Sequence, residues 1–335
     1  MYNRQLRWTL LFLLALMTGN VLAQEETVSQ PSTAPTVYAS ETYEIEVTTH
    51  IYAQGLTHSD WGSEDAEVMD LHLDVYEPIG APDNRPVMMI IHGGAFRLGS
   101  RDDGRFVSMS EYFASRGWVT ISIDYRLAGD FGTFPQSWQD GIQEVVDPSA
   151  QDSTMPIYAA SRDAKAAVRW VYANAETYQI NTDYITALGM SAGASLAIML
   201  GTTDAEIYRD ELTVEEDSTL ASTNLDQPTD IQTVVAFSMS SAANTLIERI
   251  YGINTFDATD APLIFIHGTN DRIAPFSDAE ALRDAYEATG APYAFYPIEG
   301  VGHTLGFMRA EVNGMVPMEL GFAFVVEQQA LTVAD

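Results

Sequence analysis

A serine flanked by glycines is the first candidate for chemistry in this chain. The segment Gly189-Met190-Ser191-Ala192-Gly193 follows an apolar strand pattern at Tyr184–Leu188 and precedes an apolar helix pattern at Ala194–Leu200. Glycines permit a sharp strand-to-helix turn, which pushes a strained serine out at the carboxyl edge of a sheet. The helix amino terminus behind it favours negative charge. We therefore expect Ser191 to be a nucleophile; an ordinary βα turn is the alternative.

A second glycine-rich segment, His92-Gly93-Gly94-Ala95-Phe96, ends another apolar strand pattern. The amides of Gly93 and Gly94 are unhindered and can face a substrate oxyanion. Removing one such donor costs about 2.7–4 kcal/mol of transition-state stabilisation. The amide of Ala192 would supply the other half of this oxyanion hole. We expect His92 to order the loop by hydrogen bonds; taken alone, the segment could be a turn without a role.

The serine needs a base, because a free hydroxyl is a poor nucleophile. In the fold class that this turn indicates, the acid and then the histidine follow the serine in the chain. Two histidines lie downstream, His267 and His303. His303 stands in a glycine-flanked loop after the last strand pattern and can reach back over the sheet edge. We assign it as general base and then general acid, with His267 as the alternative.

The acid that orients His303 is expected to be Asp271, which lies in the loop after the strand pattern Leu263–Ile266. Two other aspartates are alternatives. Asp260 precedes that strand and Asp278 lies in the following helix pattern, so each would face the wrong end or direction.

The elements that must position these residues alternate between strand and helix patterns. Pro86–Ile91 and Trp118–Ile123 are near-continuous apolar runs, typical of central strands buried on both faces. Ile157–Tyr178 carries apolar residues at helical spacing. The alternation predicts an α/β fold with a mostly parallel sheet and helices on both faces. Further strands are expected at 69–75, 184–188, 234–237, 263–266 and 293–296, and further helices at 106–115, 278–288 and 318–329.

Two long stretches interrupt the alternation. Ala128–Pro156 carries aromatic residues and is predicted to be a loop that lines a pocket, whereas the acidic stretch Asp204–Asp230 is expected to be a solvated surface insertion. The residues predicted as a possible substrate pocket are Phe96, Phe134, Trp138 and Met190.

Residues 1–23 have the pattern of a secretory signal peptide. Arg4 and Arg7 precede a short apolar run, and Ala23 completes a small-residue cleavage site before Gln24. The run is shorter than the roughly 20 residues of a membrane span, so a stable anchor is the poorer alternative. We expect a secreted or periplasmic protein with a disordered Ser/Thr/Pro/Glu-rich leader at 24–41 and a catalytic domain at 42–335.

The composition excludes several classes of function. The 335 residues include Lys+Arg 16 and Asp+Glu 47, for a net charge of −31, which argues against nucleic acid as a partner. The absence of cysteine excludes disulfides, thiolate metal sites and cysteine nucleophiles. We expect no metal and no cofactor. The acidic clusters lack EF-hand spacing and are interpreted as solvated surface.

These segments together resemble the α/β-hydrolase carboxylesterases, in the branch that includes hormone-sensitive-lipase-like and type-B esterases. The resemblance extends from Tyr43 to the C-terminus and rests on HGGAF, GMSAG, HGTND, GVGH and the segment Asp124–Leu127. It implies the α/β-hydrolase fold and acylation of Ser191 by an ester. One departure is Ala95, where many relatives carry a third glycine. A serine peptidase or acyltransferase on the same scaffold, and a non-catalytic binding module of this fold, remain alternatives.

Overall fold

The computed structural model describes residues 34–203, 207–209, 211–306, 311–312 and 314–335. The predicted signal peptide and the leader up to residue 33 lie outside these described residues. The leader was expected to be disordered through residue 41, but strand β1 (Thr36–Tyr38) pairs in parallel with β10 (Thr332–Ala334). Val37 is fully buried in that pairing. An apolar side chain flanked by polar residues thus anchors the chain earlier than its composition indicates.

A mostly parallel sheet of eight strands forms the centre of the described chain. In space the strands run in the order β2-β3-β5-β4-β6-β7-β8-β9, and only the pairs β2–β3 and β3–β5 are antiparallel. The strands are β2 (Ile45–Thr57), β3 (Glu67–Pro78), β4 (Arg85–Ile91), β5 (Val119–Ile123), β6 (Ile180–Met190), β7 (Thr233–Phe237), β8 (Leu263–Gly268) and β9 (Tyr293–Ile298).

Helices cover both faces of this sheet, as the alternating pattern predicts. They are α1 (Gly104–Ala114), α2 (Gln136–Val145), α3 (Gln151–Thr154), α4 (Ile157–Ala173), α5 (Ala192–Thr202), α6 (Ala242–Tyr251), α7 (Phe276–Thr289) and α8 (Pro317–Gln328). The apolar sides of α1 and α8 share one core with one face of the sheet. Those of α2, α4, α5, α6 and α7 share a second core with the other face.

Strand β4 shows why the central apolar runs are continuous. Val87, Met89 and Ile91 enter one core, whereas Met88 and Ile90 enter the other, and all five are fully buried. Successive side chains of a strand point to opposite faces, so a strand covered on both faces must be apolar at every position.

The stretch 128–156 is more regular than a loop. It contains α2 and α3, joined by short connections. Helix α2 buries Trp138 and Ile142 against the core under the sheet, because these two residues lie four apart on one helical face. The expectation of a long loop is therefore wrong for this stretch.

The stretch 204–230 also departs from the expectation of a solvated insertion. Its described residues include Asp217, which is fully buried and forms an ion pair with the buried Arg162 of α4. Tyr208 and Leu220 are buried as well. A guanidinium inside a protein needs a carboxylate partner, and this partner comes from the acidic stretch.

Arg126 forms a second buried ion pair, with Asp163 of α4, at 2.7 Å between Nη2 and Oδ1. Asp124, two residues before Arg126, forms an ion pair with Arg101 instead. Both side chains of the Arg126–Asp163 pair are almost fully buried. The pair therefore attaches the segment that follows β5 to helix α4.

None of the described helices combines the length and the apolar character needed to cross a bilayer. Within the described ranges, no group of three or more His, Cys, Asp or Glu side chains has the arrangement of a metal site.

Candidate active site

Ser191 lies between the end of β6 and the start of α5, with φ 55° and ψ −118°. A non-glycine residue pays about 1–3 kcal/mol for such a conformation, which the surrounding structure must enforce. Gly189 and Gly193, two residues before and after it, are glycines because there is no room for a Cβ atom at either position. A Cβ on Gly189 would lie 2.1 Å from the carbonyl oxygen of Gly193, and one on Gly193 would lie 2.1 Å from that of Ile91.

Three residues that are far apart in the sequence form one hydrogen-bonded chain. His303 Nε2 lies 2.9 Å from Ser191 Oγ, and His303 Nδ1 lies 2.7 Å from Asp271 Oδ2. The His303 side chain is 14% exposed and the Asp271 side chain is fully buried. With the proton on Nδ1 donated to Asp271, the lone pair of Nε2 faces the serine hydroxyl and can accept its proton.

The loop that carries His303 is held close to the end of β8. Gly268, the last residue of β8, permits this approach, because a Cβ atom there would lie 2.2 Å from the carbonyl oxygen of Val301. The amide of Asn270 donates to that same carbonyl at 2.9 Å. The Ser238 hydroxyl donates to the carbonyl of His303 at 2.6 Å. Contacts from β7 and β8 therefore fix the histidine.

Asp271 is fixed by backbone amides as well as by His303. Its Oδ1 accepts hydrogen bonds from the amides of Ile273 and Ala274, at 2.9 and 3.0 Å. Burial raises the pKa of this carboxyl, but the hydrogen bonds from His303 and from both amides outweigh burial and leave the pKa below its ordinary value. The group is thus ionised where a counter-charge to a protonated imidazole is needed.

The other downstream histidine, His267, lies behind the acid rather than beside the serine. It is fully buried, and its Nε2 lies 3.0 Å from the carbonyl oxygen of Ala274 and 3.4 Å from Asp271 Oδ2. Burial lowers the pKa of His267. A neutral imidazole in this position donates one hydrogen bond to the loop of Asp271. It is His303, not His267, that contacts Ser191.

The alternative acids occupy different places. Asp260 is buried before β8, where its Oδ2 accepts a hydrogen bond from the amide of Asp257. Asp278 lies in the first turn of α7, and burial raises the pKa of its carboxyl. Asp271 is the one of the three that hydrogen-bonds to His303.

The glycine-rich loop after β4 lies directly against the serine. A Cβ on Gly93 would lie 2.7 Å from the Met190 carbonyl oxygen and 3.2 Å from Ser191 Cβ. Gly94 has φ 128°, which favours glycine. In the described part of the chain, the amides of Gly93, Gly94 and Ala192 donate to no backbone carbonyl. These amides are available to a ligand oxygen beside Ser191.

His92 stabilises this loop through contacts of its ring and of its backbone carbonyl. Its ring stacks on that of Tyr125 with centroids 4.2 Å apart, and its Nδ1 lies 2.8 Å from the carbonyl oxygen of Gly93. The Tyr125 hydroxyl donates to the carbonyl of His92 at 2.8 Å. Burial lowers the pKa of His92, so the neutral ring serves as a donor to the loop.

The backbone at Ala95 shows why many relatives carry a third glycine at this position. Its φ is 55° and that of Phe96 is 58°, so two consecutive residues adopt left-handed backbone. Glycine enters this region without strain, whereas alanine does so at a cost. The loop keeps its shape with alanine because the carbonyl of Phe96 accepts a hydrogen bond from the Ala128 amide at 2.7 Å.

A cavity of about 590 Å³ opens beside Ser191. Of the four residues predicted for a substrate pocket, Phe96 lines this cavity, and the other three are absent from its described lining. Met190 is buried beneath Arg105, whose Nη1 lies 3.7 Å from its sulfur, and Phe134 packs on Trp61 at 5.8 Å between ring centroids.

The prediction for Trp138 is wrong for a clear reason. Helix α2 turns this side chain inward, where it is fully buried between Tyr158 and Tyr208, at 5.6 and 5.8 Å between ring centroids. A tryptophan in a polar stretch of sequence therefore belongs to the core.

Sequence reasoning missed the residues that α6 contributes to the cavity, including Thr245, Leu246 and Arg249. The alternating pattern predicts a helix between β7 and β8, but no bounds for it. Its signal is the spacing of Ala243, Leu246 and Ile247, which are buried on one face. Arg249 and Asp278 are charged residues of the lining, from α6 and α7.

Known structures and curated proteins resemble this chain at modest identity. An esterase from Thermogutta terrifontis with bound propionate has a TM-score of 0.58 and 23% identity over 85% of this chain and 94% of that chain, which shows the fold. Venom carboxylesterase-6 from Apis mellifera is 33% identical over 138 residues, 40% of this chain and 20% of that protein. Esterase LipC from Mycobacterium tuberculosis is 25% identical over 266 residues, 72% of this chain and 59% of that protein.

The chain thus spans between one fifth and three fifths of the length of these two curated relatives. Two family models match it directly. Residues 149–286 match the model described as BD-FAE. Residues 30–208, which make up more than half of the chain, match the model of the carboxylesterase family. The sheet order, the turn at Ser191 and this match agree, and the chain belongs to the carboxylesterase family, with the α/β-hydrolase fold.

Proposed function

We propose that this protein hydrolyses carboxylic esters through an acyl-enzyme formed on Ser191. The observation that carries the proposal is the hydrogen-bonded chain from Asp271 through His303 to the serine, with contacts of 2.7 and 2.9 Å. Membership of the carboxylesterase family supports the same reaction.

In the first half of the reaction, Ser191 Oγ attacks the ester carbonyl carbon and His303 Nε2 takes the hydroxyl proton. The carbonyl π electrons move to oxygen, and the amides of Gly93, Gly94 and Ala192 would stabilise this oxyanion. When the tetrahedral intermediate collapses, the bond to the alcohol oxygen breaks. The protonated His303 then gives its proton to the leaving alcohol.

In the second half, water replaces the alcohol. His303 removes a proton from water, the hydroxide oxygen attacks the acyl carbon, and the Ser191 ester bond breaks as His303 returns the proton to Oγ. The products are a carboxylic acid and the free enzyme. Asp271 stabilises the imidazolium in both halves and keeps the proton on Nδ1 in the resting state.

The alternatives differ in the acceptor, the leaving group or turnover itself. A peptidase would also turn over aminoacyl p-nitroanilides, which an esterase leaves intact, and an acyltransferase would transfer the acyl group to added alcohols in preference to water. A binding module would give no adduct between Ser191 and a fluorophosphonate probe.

The test compares wild type with Ser191→Ala on p-nitrophenyl acetate and on an aminoacyl p-nitroanilide. We expect rapid ester hydrolysis and fluorophosphonate labelling in wild type, and loss of both in the variant with an unchanged melting temperature. Hydrolysis retained by Ser191→Ala would refute the nucleophile assignment.

We also propose that the protein is exported. The support is the sequence pattern at residues 1–23 and a net charge of −31, which suits a solvated, soluble surface. Expression of the full chain in a bacterium, followed by mass spectrometry, should find a mature form that begins at Gln24 outside the cytoplasm. An uncleaved chain in the cytoplasm would contradict this proposal.

A further inference from the structure

A second cavity, of about 320 Å³, lies between α6 and α7 next to the cavity of Ser191. Ser241, Thr245 and Ala281 line both cavities. The two cavities therefore adjoin at these three small side chains, which we call the waist. None of the described side chains shared by the two cavities is bulky.

The wall that α7 gives to the second cavity is apolar. Ala281, Ala285 and Ala288 lie four and three residues apart, so they share one face of the helix. Seven residues of helix correspond to about 10 Å along its axis. Leu282 and Phe256 add apolar surface between these alanines and α6. Together these side chains form an elongated apolar wall.

Two polar residues of the second cavity form hydrogen bonds with neighbouring protein groups. Glu248 Oε1 accepts hydrogen bonds from the amide and the hydroxyl of Thr255, both at 2.9 Å. Asn254 Nδ2 donates to the carbonyl of Phe256 at 2.6 Å. The carboxylate of Glu248 disfavours an anionic ligand in this cavity. What the cavity offers is apolar contact area for a neutral group.

The cavity at Ser191 is large enough for a compact ester by itself, since ligand pockets commonly measure about 300–1,000 Å³. A short ester therefore gains nothing from the second space, whereas a long ester can fill both. We propose that the space between α6 and α7 is a subsite for the remote, neutral and mainly apolar half of an elongated ester. The inference rests on the proposed function, because the reacting carbonyl is taken to lie at Ser191.

The test introduces a bulky side chain at the waist. Ala281 is exposed on α7, so Ala281→Phe should fold normally while its ring fills the passage. The matched control is Glu280→Phe, which places the same ring on the next residue of α7, an exposed position outside the described lining of both cavities. Ala288→Phe blocks the far end of the apolar wall instead. Equal melting temperatures for the three variants and wild type establish that they fold alike.

Two substrate series locate the half of the ester that enters. One varies the acyl chain of p-nitrophenyl esters from acetate to decanoate, and the other varies the alcohol of alkyl acetates from ethyl to decyl. In the series whose varied half enters the subsite, we expect Ala281→Phe to lower kcat/KM for the longest ester by about tenfold or more. A loss of this size is typical when hydrophobic contacts in a pocket are removed. Acetate or ethyl acetate should lose much less than the longest ester, because it does not reach the waist. Ala288→Phe should affect only the longest members, and Glu280→Phe none.

Three results would overturn the subsite. The first is a loss of kcat/KM in Ala281→Phe that is equal for short and long esters. The second is no change of kcat/KM in either series. The third is a wild type that hydrolyses no long ester. Each of these leaves hydrolysis of p-nitrophenyl acetate and its dependence on Ser191 intact, so the proposed function would stand. If wild type fails to hydrolyse even the acetate, both proposals are wrong.

Discussion

Replacing Asp271 with asparagine tests the hydrogen-bonded chain at its most informative position. Oδ1 of Asp271 accepts from two backbone amides, those of Ile273 and Ala274. In Asp271→Asn, the amide oxygen must stay at that place. Turning the side chain over would set its NH₂ group against both backbone N–H groups, at about 1–3 kcal/mol for each donor left unsatisfied. The structure therefore fixes the orientation of the new side chain.

In that orientation, the NH₂ group of the asparagine faces His303 Nδ1 and donates to it. The imidazole must then carry its own proton on Nε2, toward Ser191 Oγ, where it cannot accept the hydroxyl proton. The variant also lacks the negative charge that stabilises the imidazolium. Serine hydrolases with this tautomer error lose about 10⁴-fold in kcat, or about 5 kcal/mol of activation free energy.

The assay is kcat for p-nitrophenyl acetate, together with the rate of fluorophosphonate labelling, and both should fall by a similar factor while KM changes little. The matched control is Asp260→Asn, which removes an equally buried carboxylate at the opposite end of β8. Its kcat should stay near that of wild type. If Asp271→Asn keeps kcat within about tenfold of wild type, or if Asp260→Asn shows the larger loss, the assignment of the acid is wrong.

Three further predictions concern the scaffold of the site. Gly193→Ala should lower the free energy of unfolding by about 3–5 kcal/mol in urea titrations, because its Cβ would lie 2.1 Å from the carbonyl oxygen of Ile91; a stability equal to wild type would contradict this packing. Arg162→Met should cost about 3–5 kcal/mol by leaving the buried Asp217 without its partner, and adding Asp217→Asn should recover part of that loss. The hydrogen bonds of Asp271 hold its pKa below the ordinary 3.8, so its ionised form contributes stability that is present above pH 3.8 and lost as pH falls through the lowered pKa. The difference in melting temperature between wild type and Asp271→Asn should therefore be full at neutral pH and shrink in strong acid, and a constant difference would exclude this linkage.

The elements and segments of the site could be predicted because their signals are local. Strand β4 is apolar from Pro86 to Ile91 because both of its faces are covered, and this is visible in a run of six letters. Gly189 and Gly193 mark the turn at Ser191 because no Cβ atom fits there. Such constraints act within a few residues, so composition and spacing record them.

The pocket and the buried charges could not be predicted, because they depend on partners far away in the sequence. Trp138 belongs to the core only because α2 forms and turns it toward Tyr158. Asp217 stands in an acidic stretch whose composition predicts a solvated surface. Its burial depends on the ion pair with Arg162, which lies 55 residues earlier. No local pattern distinguishes an exposed carboxylate from one that a distant guanidinium draws inward.

The arrangement of the sheet explains this division between chemistry and pocket. β4, β6 and β8 run parallel within one sheet, so the loops that follow them open at the same edge and bring Gly93, Ser191 and Asp271 together whatever the lengths of the intervening chain. Part of the cavity wall instead comes from α6 and α7, which lie between strands and face no such constraint. Residues on these helices can change without moving the hydrogen-bonded chain at Ser191. Substrate range should therefore respond to substitutions on α6 and α7 that leave hydrolysis of the smallest esters intact.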